Sequence, residues 1–248
     1  MEIFSRPALP ATSHALLPTL IGLTLALAFS AAQAQSFCAS DNQHKPVQLM
    51  ERFINANCAG CWADTATPQA AAGTVAIDWV APGDKGDDAP LSAVATRDSL
   101  ARLAALNEKL PTLTSTRTSA VGGLRGSQLR VAHGLPVNDY IGASIELRPV
   151  PAAAKKQTWT AWLTLVETLP AGTEGSPVER NLVRNLLQTE WDGRKPLAKG
   201  DLNRFFDARS MALPQGANAE RLRVIGWVQD PKGKVLAAAE SRCVADKP

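Results

Sequence analysis

The chain has 248 residues, with 26 Lys and Arg against 23 Asp and Glu for a formal net charge of +3, and no basic block is longer than a pair such as Lys155-Lys156. That balance lacks the phosphate-tracking surface of a nucleic-acid binder, so nucleic acid is excluded as a partner. Hydrophobic residues make up 45% of the chain, and six Trp against one Tyr point to tryptophans used mainly as core.

Residues 1–34 read as a cleavable signal peptide: Arg6 comes first, then an apolar stretch over 15–29 that Pro18 interrupts, then Ser30-Ala31-Ala32-Gln33-Ala34. Ala32 and Ala34 flank Gln33 as an Ala-x-Ala site, so cleavage is expected after Ala34. The apolar run falls short of the ~20 residues a spanning helix needs. Cys38 follows Gln35-Ser36-Phe37, not the small residues that precede a lipidated cysteine. A secreted or periplasmic protein with no membrane attachment after cleavage is therefore expected.

In an oxidising compartment the four cysteines, Cys38, Cys58, Cys61 and Cys243, should form disulfides. Cys58 and Cys61 pair by proximity, which leaves Cys38 and Cys243 to join the two ends of the mature chain as a structural staple. In the chain-entropy picture so long a loop stabilises by about 5 kcal/mol.

Along the chain, Val47 to Ile54 is apolar enough for a buried strand that runs into Asn55-Ala56-Asn57-Cys58-Ala59-Gly60-Cys61-Trp62. A second strand is expected at Thr74 to Val80. The following loop, Pro82 to Ala89, has three Asp but not the alternating ligands of a calcium loop, and reads as a solvated turn. Leu100, Leu103, Leu106 or Asn107, and Leu110 recur at helical spacing, so a helix is expected over 93–110 with Pro111 as its stop. Leu113 to Val121 reads as another strand. Gly122-Gly123-Leu124-Arg125-Gly126 has no Lys-Ser or Lys-Thr pair and is not a phosphate loop.

Past Gly126 strands and turns dominate. Trp159, Ala161, Leu163 and Leu165 alternate onto one face of a strand. Asp230-Pro231-Lys232-Gly233 has the residues of a type I turn between strands at 222–229 and 235–243. Ser176-Pro177-Val178-Glu179 has the spacing of a helix capping box, so 180–188 reads either as a helix or as one more strand.

Cys58-Ala59-Gly60-Cys61 carries the chemistry. A strand before the motif and a helix-compatible segment after it would put Cys58 at a helix N-terminus, where thiolate is favoured over thiol. Cys58 would form the mixed disulfide and Cys61 would resolve it. The same pair could be half a zinc site, but zinc needs two further ligands. His44 and His133 form no recognisable pair with it, so no metal and no cofactor are expected.

Residues 53–61, Phe-Ile-Asn-Ala-Asn-Cys-Ala-Gly-Cys, resemble the strand-to-cysteine segment of a family of secreted bacterial proteins known as domain of unknown function 1223. Val75-Ala76-Ile77-Asp78-Trp79, Asn181-Leu182-Val183-Arg184, and Val228-Gln229 with Gly233-Lys234-Val235-Leu236-Ala237-Ala238 resemble further segments of it in order. The resemblance implies an α+β protein: a thioredoxin-like domain over 35–126 followed by an antiparallel β-sandwich-like domain over 127–248. It also implies that 181–187 is a strand. Thr116-Arg117 would stand where thioredoxin-like sites carry a cis-proline, and Arg117 could then lower the pKa of Cys58.

Two functions compete. One is thiol–disulfide exchange on exported proteins or small disulfides, and the other is a binding or assembly role with Cys58–Cys61 as a structural bond. A hydrolase has no support, because Gly-x-Ser-x-Gly is absent. Asp78 reads as a turn cap at a strand end, with proton acceptor as the sharper alternative. Trp62 is either a platform beside Cys61 or a packing residue.

Overall fold

The computed structural model describes residues 38–195 and 203–243. The expected signal peptide, residues 1–34, lies outside the described residues.

Among the described residues, twelve strands form two sheets. In chain order they are β1 (Cys38–Ala39), β2 (Gln48–Asn55), β3 (Thr74–Ala81), β4 (Thr114–Ala120), β5 (Gln128–His133), β6 (Tyr140–Arg148), β7 (Thr158–Leu169), β8 (Arg180–Asp192), β9 (Phe205–Ala212), β10 (Leu222–Gln229), β11 (Val235–Glu240) and β12 (Arg242–Cys243). The larger sheet has the order β11-β10-β7-β8-β3-β2-β4, and the smaller β12-β1-β5-β6-β9. Two α-helices accompany them among the described residues, α1 (Ala59–Trp62) and α2 (Arg97–Ala105).

This architecture overturns the expected α+β fold, because the N-terminal half is not a thioredoxin-like domain. β2 and β3 pair in parallel, but the connection between them contains only the single turn α1. A strand pair of that kind is usually covered by a crossover helix. Here β2, β3 and β4 instead complete a sheet with the long strands β7 and β8. Gly126 lies in the connection between β4 and β5, where the chain first leaves the larger sheet for the smaller one. Strands from both sides of Gly126 share the larger sheet.

Alternation explains how that sheet is covered. Trp159, Ala161, Leu163 and Leu165 of β7 point to one face and meet Leu129, Val131, Ile145 and Leu147 of the smaller sheet in the largest apolar cluster. Gly226 of β10 lets the sheets approach: a Cβ there would lie 2.5 Å from Val131 Cγ1 and 2.9 Å from Ile145 Cδ1. The opposite face gathers Phe53, Trp79, Trp162, Val183 and Trp227 together with Leu103 of α2. Trp159, Trp162, Trp191 and Trp227 are all buried, as core residues should be.

Helix α2 is shorter than its leucine spacing predicts. Leu103 is buried, but Leu100 and Leu110 are exposed, because the helix ends after Ala105 and its buried face is filled by a charge. Arg102 donates to Glu51 at 2.7 and 2.8 Å and to Gln229 at 2.9 Å, and lies over the rings of Trp162 and Trp227. Residues 180–192 are strand β8 despite the capping signal, since pairing with β7 along nearly its whole length outweighs local preference. The 230–233 turn forms as predicted, with Asp230 Oδ1 accepting from the amides of Lys232 and Lys234 at 2.9 Å each. After Glu240 the chain changes sheets and brings Cys243 opposite Cys38.

Candidate functional site

Cys58 and Cys61 sit just past the C-terminal ends of the parallel pair β2 and β3. The turn leading to them is fixed by side chains of its own: Asn55 Oδ1 accepts from the Asn57 amide at 2.9 Å, and Asn55 Nδ2 donates to the Pro111 carbonyl at 3.0 Å. Asn57 in turn bonds Asp84. Gly83 closes over this turn. A Cβ at Gly83 would fall 2.5 Å from both Asn55 Oδ1 and Asn57 Oδ1, so a side chain there would drive the two asparagines apart.

The two cysteines form a disulfide. Cys58 precedes the one-turn helix and is half-buried, while Cys61 is inside it and buried. Their surroundings are apolar: Ile54, Ala56, Val80, Leu169 and Leu182, with Trp62, Leu91 and Val94 partly covered. A cavity of about 290 Å³ is lined by Trp62, Leu91, Val94, Leu169 and Leu182 of that cluster but by neither cysteine, with Glu167, Glu174 and Arg184 as its polar lining.

Arg117 lies elsewhere. It is on β4, level with Glu51 and well before the end of β2, and pairs with Glu108 at 2.9 Å on the exposed surface. The cation brought to the cysteine segment is Arg180 of β8. Its Nη2 donates to the Trp62 carbonyl at 3.0 Å and to Thr67 Oγ1 at 3.1 Å, and the guanidinium stacks 5.0 Å from the Trp62 ring centre. The Trp62 indole N–H donates to the Glu174 carbonyl at 2.8 Å, so the side chain after Cys61 is held at both ends.

Arg180 belongs to a buried charge network centred on Asp78. The Asp78 carboxylate receives Arg52 at 2.6 Å, Arg180 at 3.0 Å and the amide of Asn181 at 2.8 Å. Its side chain is 0% exposed. Burial pulls the Arg180 pKa down, while the Asp78 charge and hydrogen bond oppose that shift. Asp78 is in the middle of β3, so the expected turn cap at a strand end is corrected. It stands where β3 meets β8, a ladder with one parallel pairing, Asp78 opposite Leu182. Asn181 Nδ2 donates back to the Ala76 carbonyl at 2.9 Å. Side chains thus supply at this seam the hydrogen bonds that a longer ladder would have made.

The sequence held a signal for this network: charged residues inside apolar strand runs are costly unless paired. Arg52 and Asp78 have that placement, as does Glu51, whose partner is Arg102. Their partners come from distant segments, so the pairing itself was not legible.

The second disulfide joins Cys38 and Cys243, 205 residues apart in sequence, as the sequence predicts. Cys38 and Cys243 are cross-strand partners on β1 and β12, and Cys38 also faces His133 on β5. Burial lowers the His133 pKa below its ordinary value, partly offset by its bond to the Gly134 carbonyl.

No family model matches the chain, and no curated protein matches it. A solved structure described as HBP35 of Porphyromonas gingivalis is similar over 82% of this chain and 80% of that one, with a TM-score of 0.49 and 11% identity. A likeness at that level carries no argument about function. Among the described residues no helix is long and apolar enough to cross a membrane.

Proposed function

We propose that the protein exchanges disulfides through Cys58 and Cys61, acting outside the cytoplasm on exported proteins or small disulfides. The observation that carries this reading is the small structural demand on the bond, which unlike Cys38–Cys243 closes almost no chain. Cys58 is half-buried and Cys61 is buried, so Cys58 is the sulfur open to attack and Cys61 the leaving one. The bond spans only three positions of sequence, so the chain-entropy model credits it with about 2 kcal/mol. The β2–β3 turn has its own asparagine and backbone bonds, which leaves that bond little structural work. The resemblance of residues 53–61 to domain of unknown function 1223 supports the same choice of cysteines.

In the disulfide form, a substrate thiolate attacks Cys58 Sγ and the Cys58–Cys61 bond breaks, with Cys61 Sγ leaving as the thiolate. A second substrate thiolate then attacks the substrate sulfur of the mixed disulfide and expels Cys58. The substrate has been oxidised by two electrons and the protein reduced by two. The reverse sequence reduces a disulfide substrate. Trp62, clamped by Arg180 and Glu174, forms one wall of the approach.

The test equilibrates the protein in graded thiol buffers, alkylates it, and maps each cysteine by mass. A Cys58–Cys61 potential in the range of about −120 to −270 mV, with Cys58 alkylating faster than Cys61, is the expected result. A pair that stays oxidised below about −300 mV, or that is unreactive once reduced, would return the bond to a structural role in a binding protein. Export is checked separately by sequencing the N-terminus of the protein recovered outside the cytoplasm, with residue 35 expected first.

A further inference from the structure

β12, β1 and β5 are neighbours in the smaller sheet, and their registers place Cys243, Cys38 and His133 in one row across them. Directly opposed residues of paired strands project to the same face. The two sulfurs and a ring nitrogen of His133 accordingly lie within 4.8 Å of one another. His133 is 4% exposed. Its Nδ1 is 2.9 Å from the Gly134 carbonyl, an oxygen that can only accept, which assigns the hydrogen to Nδ1 and leaves a lone pair on Nε2. That Nε2 is buried and has no hydrogen-bond partner.

A buried ring nitrogen without a partner requires an explanation. An imidazole tied through one nitrogen to a backbone carbonyl, with the other left bare, is how metal-ligating histidines are oriented. The neighbouring atoms are two sulfurs, the soft donors that select thiophilic d10 cations.

We propose that Cys38, Cys243 and His133 form a two-sulfur, one-nitrogen site for such a cation, Zn2+ being the probe, whenever the Cys38–Cys243 bond is in its dithiol state. An external dithiol supplies the two electrons and two protons that open the bond and is itself oxidised to its disulfide. Cys243 is exposed and Cys38 buried, so attack falls on Cys243 Sγ. Zn2+ then displaces both thiol protons to solvent, forming two Zn–S bonds and one Zn–N bond, with the fourth position left to water. Ligands at zinc bonding distances stand roughly 3.5–4 Å apart, so the sulfurs need only part from bonding distance within the spacing the three strands already set. The cation would hold β12 on β1 in place of the disulfide. This site is independent of Cys58 and Cys61.

The experiment uses the full mature chain with Cys58→Ser and Cys61→Ser, so that only one cysteine pair can respond. The protein is reduced with a phosphine, freed of metal and titrated with Zn2+, reading metal bound per chain and protection of Cys38 and Cys243 from alkylation. One Zn2+ per reduced chain, both cysteines protected, no binding by the oxidised chain, and at least tenfold weaker protection in His133→Gln are expected. Thermal unfolding of oxidised His133→Gln establishes that the variant folds. Absence of binding by the reduced chain, equal binding by His133→Gln, or equal binding by the oxidised chain overturns the proposal. If reduction alone unfolds the chain, the titration is read by circular dichroism. Zn2+ that restores the sheet signal in the parent but not in His133→Gln then supports the site, and no restoration overturns it.

Discussion

The Cys38–Cys243 bond closes a loop spanning 205 positions of sequence and ties the last described strand to the first, whereas Cys58–Cys61 spans three positions and ties nothing distant. The first lies in a strand row with one buried and one exposed cysteine; the second lies in a turn with one half-buried and one buried cysteine. In the chain-entropy model the two closures are worth about 5 and about 2 kcal/mol respectively. Because a bond that stabilises a fold is stabilised by that fold to the same extent, the long closure should be the harder to reduce. One chain thus carries two bonds with very different structural work, and the span that each closes, more than the sulfur chemistry, separates them.

The largest test of that contrast is Cys38→Ala with Cys243→Ala, which should lower unfolding free energy by up to about 5 kcal/mol. Denaturant titration checks it, and a loss no greater than that of the other pair would break the comparison. Next comes Asp78→Ala. It strands two buried guanidiniums, with an expected cost of roughly 3–5 kcal/mol. It should also loosen the Trp62 clamp, so that in the reduced protein Cys61 alkylates faster while Cys38 does not change.

A smaller effect is expected from Cys58→Ala with Cys61→Ala: about 2 kcal/mol at most, read from the same titration, with exchange activity abolished. A drop near that of the long closure would mean that the short bond is structural. The smallest effect sharpens the comparison at the other bond. Burial depresses the pKa of His133 in the folded state, so the unfolded chain binds a proton more readily. Stability should be unaffected by His133 above its usual value of 6.5 and should fall as pH drops through 6.5 toward the depressed folded value. Unfolding midpoints of the oxidised protein between pH 7 and 5 should show this loss, and His133→Gln should lack it.

Much of the β half was legible because its cues are local. The alternation of Trp159, Ala161, Leu163 and Leu165 needs only the two-residue period of a strand, and the 230–233 turn needs only its own Asp and Gly. The disulfide pairing was legible from the count and spacing of four cysteines. The fold of the N-terminal half was not, because a strand followed by Cys58-Ala59-Gly60-Cys61 fits a separate thioredoxin-like sheet as well as the edge of a larger sheet shared with the second half. That choice is made by β7 and β8, which begin about a hundred residues or more downstream of the motif.

Capping residues at 176–179 left both a helix and a strand open for 180–188, and the ladder with β7 made it a strand. Arg117 was chosen by position relative to a family pattern, and its side chain found Glu108. The composition and periodicity of the sequence by themselves determined an abundance of strands, a tryptophan core, and two cysteine pairs of very different span. Tertiary structure alone decided that Asp78 would join Arg52 to Arg180 at the seam of one sheet, that Arg180 would brace Trp62 beside Cys61, and that His133 would stand beside Cys38 and Cys243. Each of those outcomes depends on strand register between distant segments, which local residue preferences do not encode.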